Sequence, residues 1–455
     1  MHIPLVRLPL PELILKQQRR ILLPHLPAEI WILILRSATE VKGLVSEELI
    51  ASDFVSASYQ GRNRHLKRVL NTKTAVVRVC KQWHIWAIPF LYESIIVDRG
   101  KDLRSLRTTL RTVPSVVGRE YTSQPVLSFN RPFGQWTKRF DVLLNDNTSY
   151  GSHQDAKHVS DIIRCFPRLQ SLTFNMCLGP FISKATPIIE AIASTCGSSL
   201  RILNWFPNEY NHQIDLLDLT GLLLRTPNLR ALNCPTYTSP GTPMKPRWYD
   251  LPDPLSPIIL NHLTSISFTP EYLGENPLFP VYLTSSKLNH VILSGRGDPS
   301  SLGDFLGIYG SSLTHIQYSQ KLGPSFDDHD LSLIMITLKS CCPKLTRLDL
   351  RLNAWVTLEE DLNLPGTLET LGLCTRLELR NPVYKERDCL HLLWALDTMR
   401  MVGGEVRLNV VRIVDELNVV DLKGCRKVFE GVVKKVEEMG ARFEDHEGGL
   451  LECIP

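Results

Sequence analysis

The feature that most constrains the fold of this 455-residue chain is a phrase that recurs eight times between residues 167 and 373. Each copy starts with a small residue or proline and has leucine third, an aliphatic residue sixth and an apolar residue eighth. Alternating apolar positions of this kind predict a short strand with one buried face. The copies are PRLQSLTF (167–174), SSLRILNW (198–205), PNLRALNC (227–234), NHLTSISF (261–268), SKLNHVIL (286–293), SSLTHIQY (311–318), PKLTRLDL (343–350) and GTLETLGL (366–373).

Apolar segments of helical character lie between several copies, at residues 185–196, 216–225, 302–310 and 331–342. Each strand-and-helix unit has apolar faces that it cannot bury alone, so neighbouring units must stack into a curved solenoid. Such units, whose first leucines are 23 to 34 residues apart, resemble leucine-rich repeats. The repeats are degenerate, because the asparagine expected after the third leucine is mostly missing. Residues 405–414 predict a last strand, and residues 423–439 predict a closing amphipathic helix.

The side chains between the leucines are expected to point out of the concave side of the sheet. They are mostly small and neutral until the late repeats, where charged residues appear. We predict a substrate-binding surface here, suited to an acidic or phosphorylated segment. The alternative, equally open, is that its arginines only solvate the strand. The predicted residues are His315, Arg347, Asp349, Arg351 and Trp355.

The segment LPAEIWILILRSA, from Leu26, predicts a helix with two apolar faces, and Pro27 and Glu29 suit its first turn. One face carries Ile30, Leu33 and Ile34, and the other carries Trp31, Ile32 and Leu35. A helix on a single core needs only one apolar stripe. We therefore expect two burial partners, the helix around Trp83 and a different protein.

The stretch from Val79 to Val97 predicts a helix followed by a strand. Val79, Cys80 and Trp83 recur at helical spacing. Pro89 is expected to end the helix, because its nitrogen cannot continue the hydrogen-bond ladder. The β-branched residues from Ile95 onward then favour extended structure.

Two motifs in this region carry a resemblance. Leu26-Pro27-x-Glu29-Ile30 and Val79-Cys80-Lys81-x-Trp83 resemble the F-box motif, and residues 88–95 are similar to the F-box-like proteins of mushroom-type (basidiomycete) fungi. The resemblance implies a three-helix module that docks on the Skp adaptor of an SCF ubiquitin ligase with its cullin core. The adaptor-binding residues that it implies are Leu26, Pro27, Ile30, Leu33 and Ile34, with Val79, Cys80 and Trp83 supporting or sharing that surface.

The expected fold class is α/β, with a small helical F-box-like module followed by a degenerate leucine-rich-repeat solenoid. The predicted boundaries are an N-terminal extension (1–23), the module with an insertion at 39–72 (24–97), a linker (98–155) and the solenoid (156–455). Within the linker, Leu103, Leu106 and Leu110 predict a helix. Seven prolines between 235 and 257 predict a surface loop, with docking or modification as the alternative.

The basic end of the insertion has two interpretations. Its cations are interleaved with Leu66 and Val69, which favours a solvated helix face over a nuclear-import signal or a phosphate-binding patch. The cations are Arg62, Arg64, Lys67, Arg68 and Lys73.

Composition narrows the functional classes. A formal charge of +4 lacks the concentrated basic footprint of a nucleic-acid binder. The 11 cysteines form no CxxC pair, and the adjacent Cys341 and Cys342 are expected to pack in the core of a protein in a reducing compartment. The longest clean apolar run, Ile30 to Leu35, is too short to span a bilayer, and no signal peptide is evident. We expect a cytoplasmic or nuclear protein with no membrane or nucleic-acid partner.

The sequence contains no nucleophile elbow, P-loop, HExxH or Rossmann fingerprint, so no cofactor and no catalysis are expected. The acidic cluster Asp327-Asp328-His329-Asp330 precedes an apolar helix, which favours helix capping over metal binding. The sequence therefore predicts a substrate-recognition adaptor. The alternatives are an interaction scaffold without a ligase, or an enzyme of unrecognised type with its site at 235–257 or at Asp327–Asp330.

Overall fold

The structure is a computed structural model that describes part of the chain. The described residues are 26–40, 68–111, 132–144, 153–176, 186–206, 214–233, 237–238, 258–268, 283–284, 287–294, 299–320, 329–358, 364–375, 382–398 and 408–452.

The main feature of this part is a parallel sheet of 12 strands whose spatial order follows the chain. Every neighbouring pair is parallel and each strand lies beside the next one in sequence, which is the arrangement of a solenoid. The strands are β1 (Ser94–Val97), β2 (Arg139–Leu144), β3 (Ser171–Met176), β4 (Ile202–Phe206), β5 (Ala231–Asn233), β6 (Ser265–Phe268), β7 (His290–Ser294), β8 (His315–Ser319), β9 (Arg347–Leu352), β10 (Thr370–Thr375), β11 (Val410–Ile413) and β12 (Arg442–Glu444).

Helices before and between these strands supply the second layer. They are α1 (Ala28–Thr39), α2 (68–77), α3 (Lys81–Tyr92), α4 (Lys101–Arg111), α5 (His153–Ile163), α6 (Thr186–Thr195), α7 (Leu216–Arg225), α8 (Pro299–Tyr309), α9 (His329–Cys341), α10 (Pro382–Thr398), α11 (Glu416–Gly424) and α12 (Arg426–Glu438). Helices of successive repeats pack side by side, as α5 does on α6 and α8 does on α9. No helix among the described residues is long and apolar enough to cross a membrane.

The recurring phrase forms the core, as predicted. All eight copies contain a strand, and the first leucine of every copy is at most 1% exposed. The helices add their apolar faces to the same core, for example Ile188 and Ile192 of α6 and Met335 of α9. The described part is therefore a mixed α/β protein with the architecture of a leucine-rich-repeat solenoid.

The sheet begins earlier than expected. β1 and β2 are its first two strands, although the sequence analysis placed β2 in a linker ending at residue 155. The leucine phrase is absent from β2, whose inner face instead carries Arg139 and Asp141. These charges are buried as an ion pair with Nε and Oδ2 2.9 Å apart, which offsets the cost of their burial. The predicted helix after β1 is confirmed as α4, with Leu103 and Leu110 fully buried.

The N-terminal helices α1, α2 and α3 share a separate apolar cluster around Leu35 and Trp86. The prediction that Pro89 ends α3 is wrong, because the helix continues to Tyr92. Proline removes one helical hydrogen bond, but Ile88 and Phe90 on either side of it are buried, and this packing holds the last turn.

The C-terminus closes as predicted. α12 buries Val428, Val432 and Val436 along one face. Gly440, with φ of +76°, then turns the chain after this helix, and β12 adds a strand that the sequence analysis did not predict.

Most of the remaining predictions lie outside the described residues, including the strand candidate at 126–129 and nearly all of the proline-rich loop. Of that loop, Tyr237–Thr238 are described and pair with Ile214–Asp215, apart from the main sheet. In the insertion, Arg68 is exposed as expected. Lys73 is buried instead, where desolvation lowers the pKa of its ammonium and the nearby Glu93 carboxylate opposes that shift.

Candidate functional site

One candidate surface is an exposed apolar stripe on α1, here called the outer stripe. Its members are Leu26 (40% exposed), which lies just before the helix, and Ile30 (41%), Leu33 (58%) and Ile34 (43%). Single exposed apolar residues are normal on a protein surface, but a contiguous group of them marks a contact site. Four of the eight residues implied by the F-box resemblance therefore share one accessible face. A fifth, Val79 in the turn before α3, is also exposed, at 56%.

The opposite face of α1 explains why the outer stripe is left outside. Leu35 is 1% exposed and packs in the cluster with Trp86 and Phe90. Trp31 lies against Trp83, with ring centroids 5.4 Å apart. The prediction of two apolar faces, one of them on the helix around Trp83, is confirmed. Because α3 covers only one face, the outer stripe keeps its exposure.

The other three implied residues have supporting positions. Pro27 precedes α1, and its carbonyl oxygen accepts hydrogen bonds from the backbone N–H groups of Ile30 and Trp31. Cys80 precedes α3, where its Sγ accepts a hydrogen bond from the Trp83 N–H at 3.4 Å. Pro27 and Cys80 thus fix the starts of the two helices. Trp83 packs on the face of α1 opposite the outer stripe, where it contacts Trp31.

A second candidate surface is a row of polar side chains on the inner face of the late repeats, here called the inner ladder. The strand register aligns Ser265, His290, His315 and Arg347 on four neighbouring strands, and Asp349 lies two residues after Arg347. Ser265 Oγ is 2.9 Å from His290 Nδ1, and the rings of His290 and His315 stack with centroids 4.0 Å apart. His315 Nε2 is 2.8 Å from Asp349 Oδ2, which also accepts from Arg347 Nη2 at 3.0 Å.

The electrostatics of the inner ladder follow from burial and these contacts. Burial opposes the charge of Asp349, but the hydrogen bond from His315 and the charge of Arg347 outweigh it and lower the pKa of Asp349 to about 2. For His290, burial and the adjacent His315 lower the pKa well below its usual value, against the pull of Asp349. The inner ladder is thus a neutral histidine beside a paired carboxylate.

The inner ladder does not have the geometry of a serine hydrolase triad. In a triad one imidazole bonds the nucleophile with one nitrogen and the carboxylate with the other. Here Ser265 contacts His290 while Asp349 contacts His315, and the two rings meet by stacking. A proton therefore has no hydrogen-bonded path from Ser265 to Asp349 through these two rings.

The predicted substrate-binding residues occupy different environments. Arg347, at 36% side-chain exposure, and His315, at 15%, are accessible in the inner ladder. Trp355 is a correction: it is 2% exposed, and its backbone N–H donates to Asp388 Oδ1, so its indole lies in the core. Arg351 is also buried, at 9% exposure. Since Arg351 is buried, the alternative that both arginines only solvate the strand does not hold for Arg351.

The sequence carried a signal for the inner ladder that its analysis missed. His290 and His315 occupy the same position in successive copies of the phrase, SKLNHVIL and SSLTHIQY. Equivalent positions in stacked repeats become neighbours on adjacent strands, so the stacking of these rings followed from the repeat alignment.

The sites predicted for the enzyme alternative, 235–257 and Asp327–Asp330, lie almost entirely outside the described residues. No group of three potential metal ligands occurs within the described part of the chain. Asp327 and Asp328 lie outside the described residues, and α9 begins at His329. Cys342 is buried, as predicted, and burial raises the pKa of its thiol to about 12.

No family model matches the chain, and no curated protein matches it in sequence. Among solved structures, it is similar to the leucine-rich repeat-containing protein LegL7 from Legionella pneumophila, with 14% identity and a TM-score of 0.36. That likeness covers 65% of this chain and 89% of LegL7. The order of the sheet strands and the buried leucines define the solenoid.

Proposed function

We propose that this protein is a substrate-recognition adaptor of an SCF-type ubiquitin ligase, in which the outer stripe docks on the Skp adaptor. The observation that carries the proposal is the exposure of Ile30, Leu33 and Ile34 together on a helix whose other face is fully used. An apolar helix face of this kind is suited to a groove on a partner protein. The F-box resemblance of the same residues supplies the identity of the partner.

The solenoid would then bind the protein substrate. Among the inner side chains of β3 to β6 whose burial is described, the small neutral ones, such as Thr173 and Asn204, are at most 4% exposed. Accessible polar side chains on the inner face occur in the late repeats, at His315 and Arg347. The ligase chemistry would belong to the partners, and this chain would supply proximity.

The test is a pull-down of the full chain with purified Skp adaptor, comparing the native protein with Ile30→Asp. An unpaired carboxylate in an apolar interface costs about 2 kcal/mol or more, so we expect at least a tenfold loss of binding. Ile308→Asp is the matched control, because Ile308 is an isoleucine of similar exposure (50%) on α8. Circular dichroism verifies that both variants fold.

Failure of the native chain to bind Skp would contradict the adaptor proposal. The protein would then stand as an interaction scaffold that uses the solenoid without a ligase. Equal loss in both variants would show that the outer stripe is not the docking surface.

A further inference from the structure

The edge of the sheet where the strands begin carries a run of positive charge in the early repeats. The residue before each strand bonds to the previous one: Gln170 N–H donates to Lys138 O at 2.7 Å, Arg201 N–H to Gln170 O at 2.8 Å, and Arg230 N–H to Arg201 O at 2.7 Å. These backbone bonds place Lys138, Gln170, Arg201 and Arg230 side by side. Successive residues are about 4.8 Å apart, the spacing of strands in a sheet.

The buried leucine of each phrase places a second residue on the same edge. Leu169, Leu229 and Leu263 are fully buried, so the residues on either side of each leucine remain at the surface. The residues before them are Arg168, Asn228 and His262, all exposed. We call the cationic group formed in this way the basic edge, and its members are Lys138, Arg168, Arg201 and Arg230.

The basic edge contains a cavity of about 240 Å³ between Arg201 and Arg230. Its other lining residues offer neutral polar groups, among them Gln170, Ser198 and His262, and no carboxylate lines it within the described part of the chain. The amide of Asn228 donates to the Ser198 carbonyl oxygen at 2.7 Å, which holds the wall between the two arginines in place. Two guanidinium groups and neutral donors around one cavity suit a phosphate group, with its several acceptor oxygens.

A second cavity of about 310 Å³ lies next to the first and shares Gln170 with it. Pro89, Phe90 and Trp136 give it an apolar wall, and Arg36 and Arg168 also line it. Its one acidic lining residue, Glu93, is paired with Lys138 at 2.8 Å. The second cavity therefore suits an apolar side chain beside a negatively charged group.

We propose that the basic edge binds a phosphorylated serine or threonine within an extended peptide. The phosphate occupies the first cavity, between Arg201 and Arg230, and an apolar side chain of the same peptide occupies the second. Lys138 and Arg201 are two places apart on the edge, about 10 Å, which an extended chain spans in about three residues. The adjoining apolar wall favours a peptide over a free phosphate, a lipid headgroup or a nucleic acid. The inference concerns the solenoid edge, so it stands whether or not α1 binds Skp.

The experiment measures fluorescence anisotropy of the full chain with a pool of labelled nine-residue peptides. Each peptide has a central phosphoserine and leucine or phenylalanine three positions to either side, and the other positions are mixed. We expect binding at least tenfold tighter than for the same pool with serine. Replacing the two apolar positions by glycine should weaken binding severalfold, and millimolar inorganic phosphate should compete.

Arg201→Gln combined with Arg230→Gln should abolish the preference for phosphoserine. Because Arg230 is half-buried, Arg201→Gln alone serves as a second variant and should weaken binding severalfold. The matched control is Lys434→Gln with Arg387→Gln, which removes two exposed cations from helices away from this edge and should leave binding unchanged.

Equal binding of the phosphorylated and unphosphorylated pools would overturn the proposal. It would also fail if the control variant lost as much binding as the double variant. Binding of phosphatidylserine vesicles or single-stranded RNA, lost in the double variant while the peptide pool does not bind, would identify a membrane or nucleic-acid surface instead.

Discussion

At the scale of single residues, the inner ladder depends on one position without a side chain. Gly372 pairs with Asp349 on the neighbouring strand. A Cβ built at Gly372 would overlap Asp349 Oδ1 and lie 2.8 Å from Val414 Cγ2. The absence of that carbon leaves space for the carboxylate, which accepts hydrogen bonds from His315 and Arg347. The glycine is therefore part of what holds Asp349 ionised in a buried place.

The buried His290 makes the stability of the solenoid depend on pH. Its folded-state pKa is lowered, so the unfolded chain takes up a proton near pH 6.5 while the folded chain resists it. The free energy of unfolding therefore keeps its full value, as far as His290 is concerned, above about pH 6.5, and it falls as the pH drops below that value. By pH 5.5 the loss should be about 1 kcal/mol. We expect His290→Gln to remove that part of the decline.

The measurement is the free energy of unfolding in urea at pH 7.5, 6.5 and 5.5 for the native chain and the variant. His262→Gln is the control, because His262 is exposed and its replacement should leave the decline intact. Identical pH dependence of the native chain and His290→Gln would contradict the assignment of the effect to His290.

At the scale of elements, the N-terminal helices show where sequence reasoning works and where it fails. The two faces of α1 could be predicted, because an all-apolar helix has more apolar surface than one core can cover. The course of α3 through Pro89 could not, because the burial of Ile88 and Phe90 depends on tertiary contacts that no local rule contains. β2 was missed for a related reason: its inner charges are tolerated only as a pair, and pairing is visible only in three dimensions.

The two faces of α1 differ in what they contribute to stability, and two leucines of the same helix test this. Leu35 is 1% exposed, so Leu35→Ala should destabilise the N-terminal helices by about 2–5 kcal/mol through lost burial and a cavity. Leu33 is 58% exposed, so Leu33→Ala should change stability by at most about 0.5 kcal/mol.

Hydrogen exchange of the α1 and α3 amides, followed by mass spectrometry, measures both effects. Leu33→Ala should still weaken Skp binding, which separates docking from folding. A comparable loss of protection in the two variants would show that the outer stripe is packed within this chain and is not a free surface.

At the scale of the whole molecule, the solenoid was predictable because one local phrase recurs. Each leucine is buried by its neighbours, so the eight copies together determine the order and direction of the central strands. The functional surfaces were less predictable. The basic edge joins Arg168, Arg201 and Arg230 from three repeats, and the inner ladder joins residues from four strands. Such residues can be recognised as neighbours only by aligning the repeats with one another. The phrase on which that alignment depends is degenerate, and it is absent from the strands at both ends of the sheet.

A solenoid is stabilised mainly by contacts between neighbouring repeats, so damage at one end should spread inward and fade. Val432 of α12 is fully buried beneath the last strands, and Val432→Asp places an unpaired carboxylate there. We expect hydrogen-exchange protection to fall most in β11 and β12, less in β9 and β10, and not at all in β1 to β4. Lys434→Asp, at a side chain that is 78% exposed on the same helix, should leave all strands protected. A uniform loss across all 12 strands would mean that the sheet unfolds as one cooperative unit and that the nearest-neighbour description does not apply to this protein.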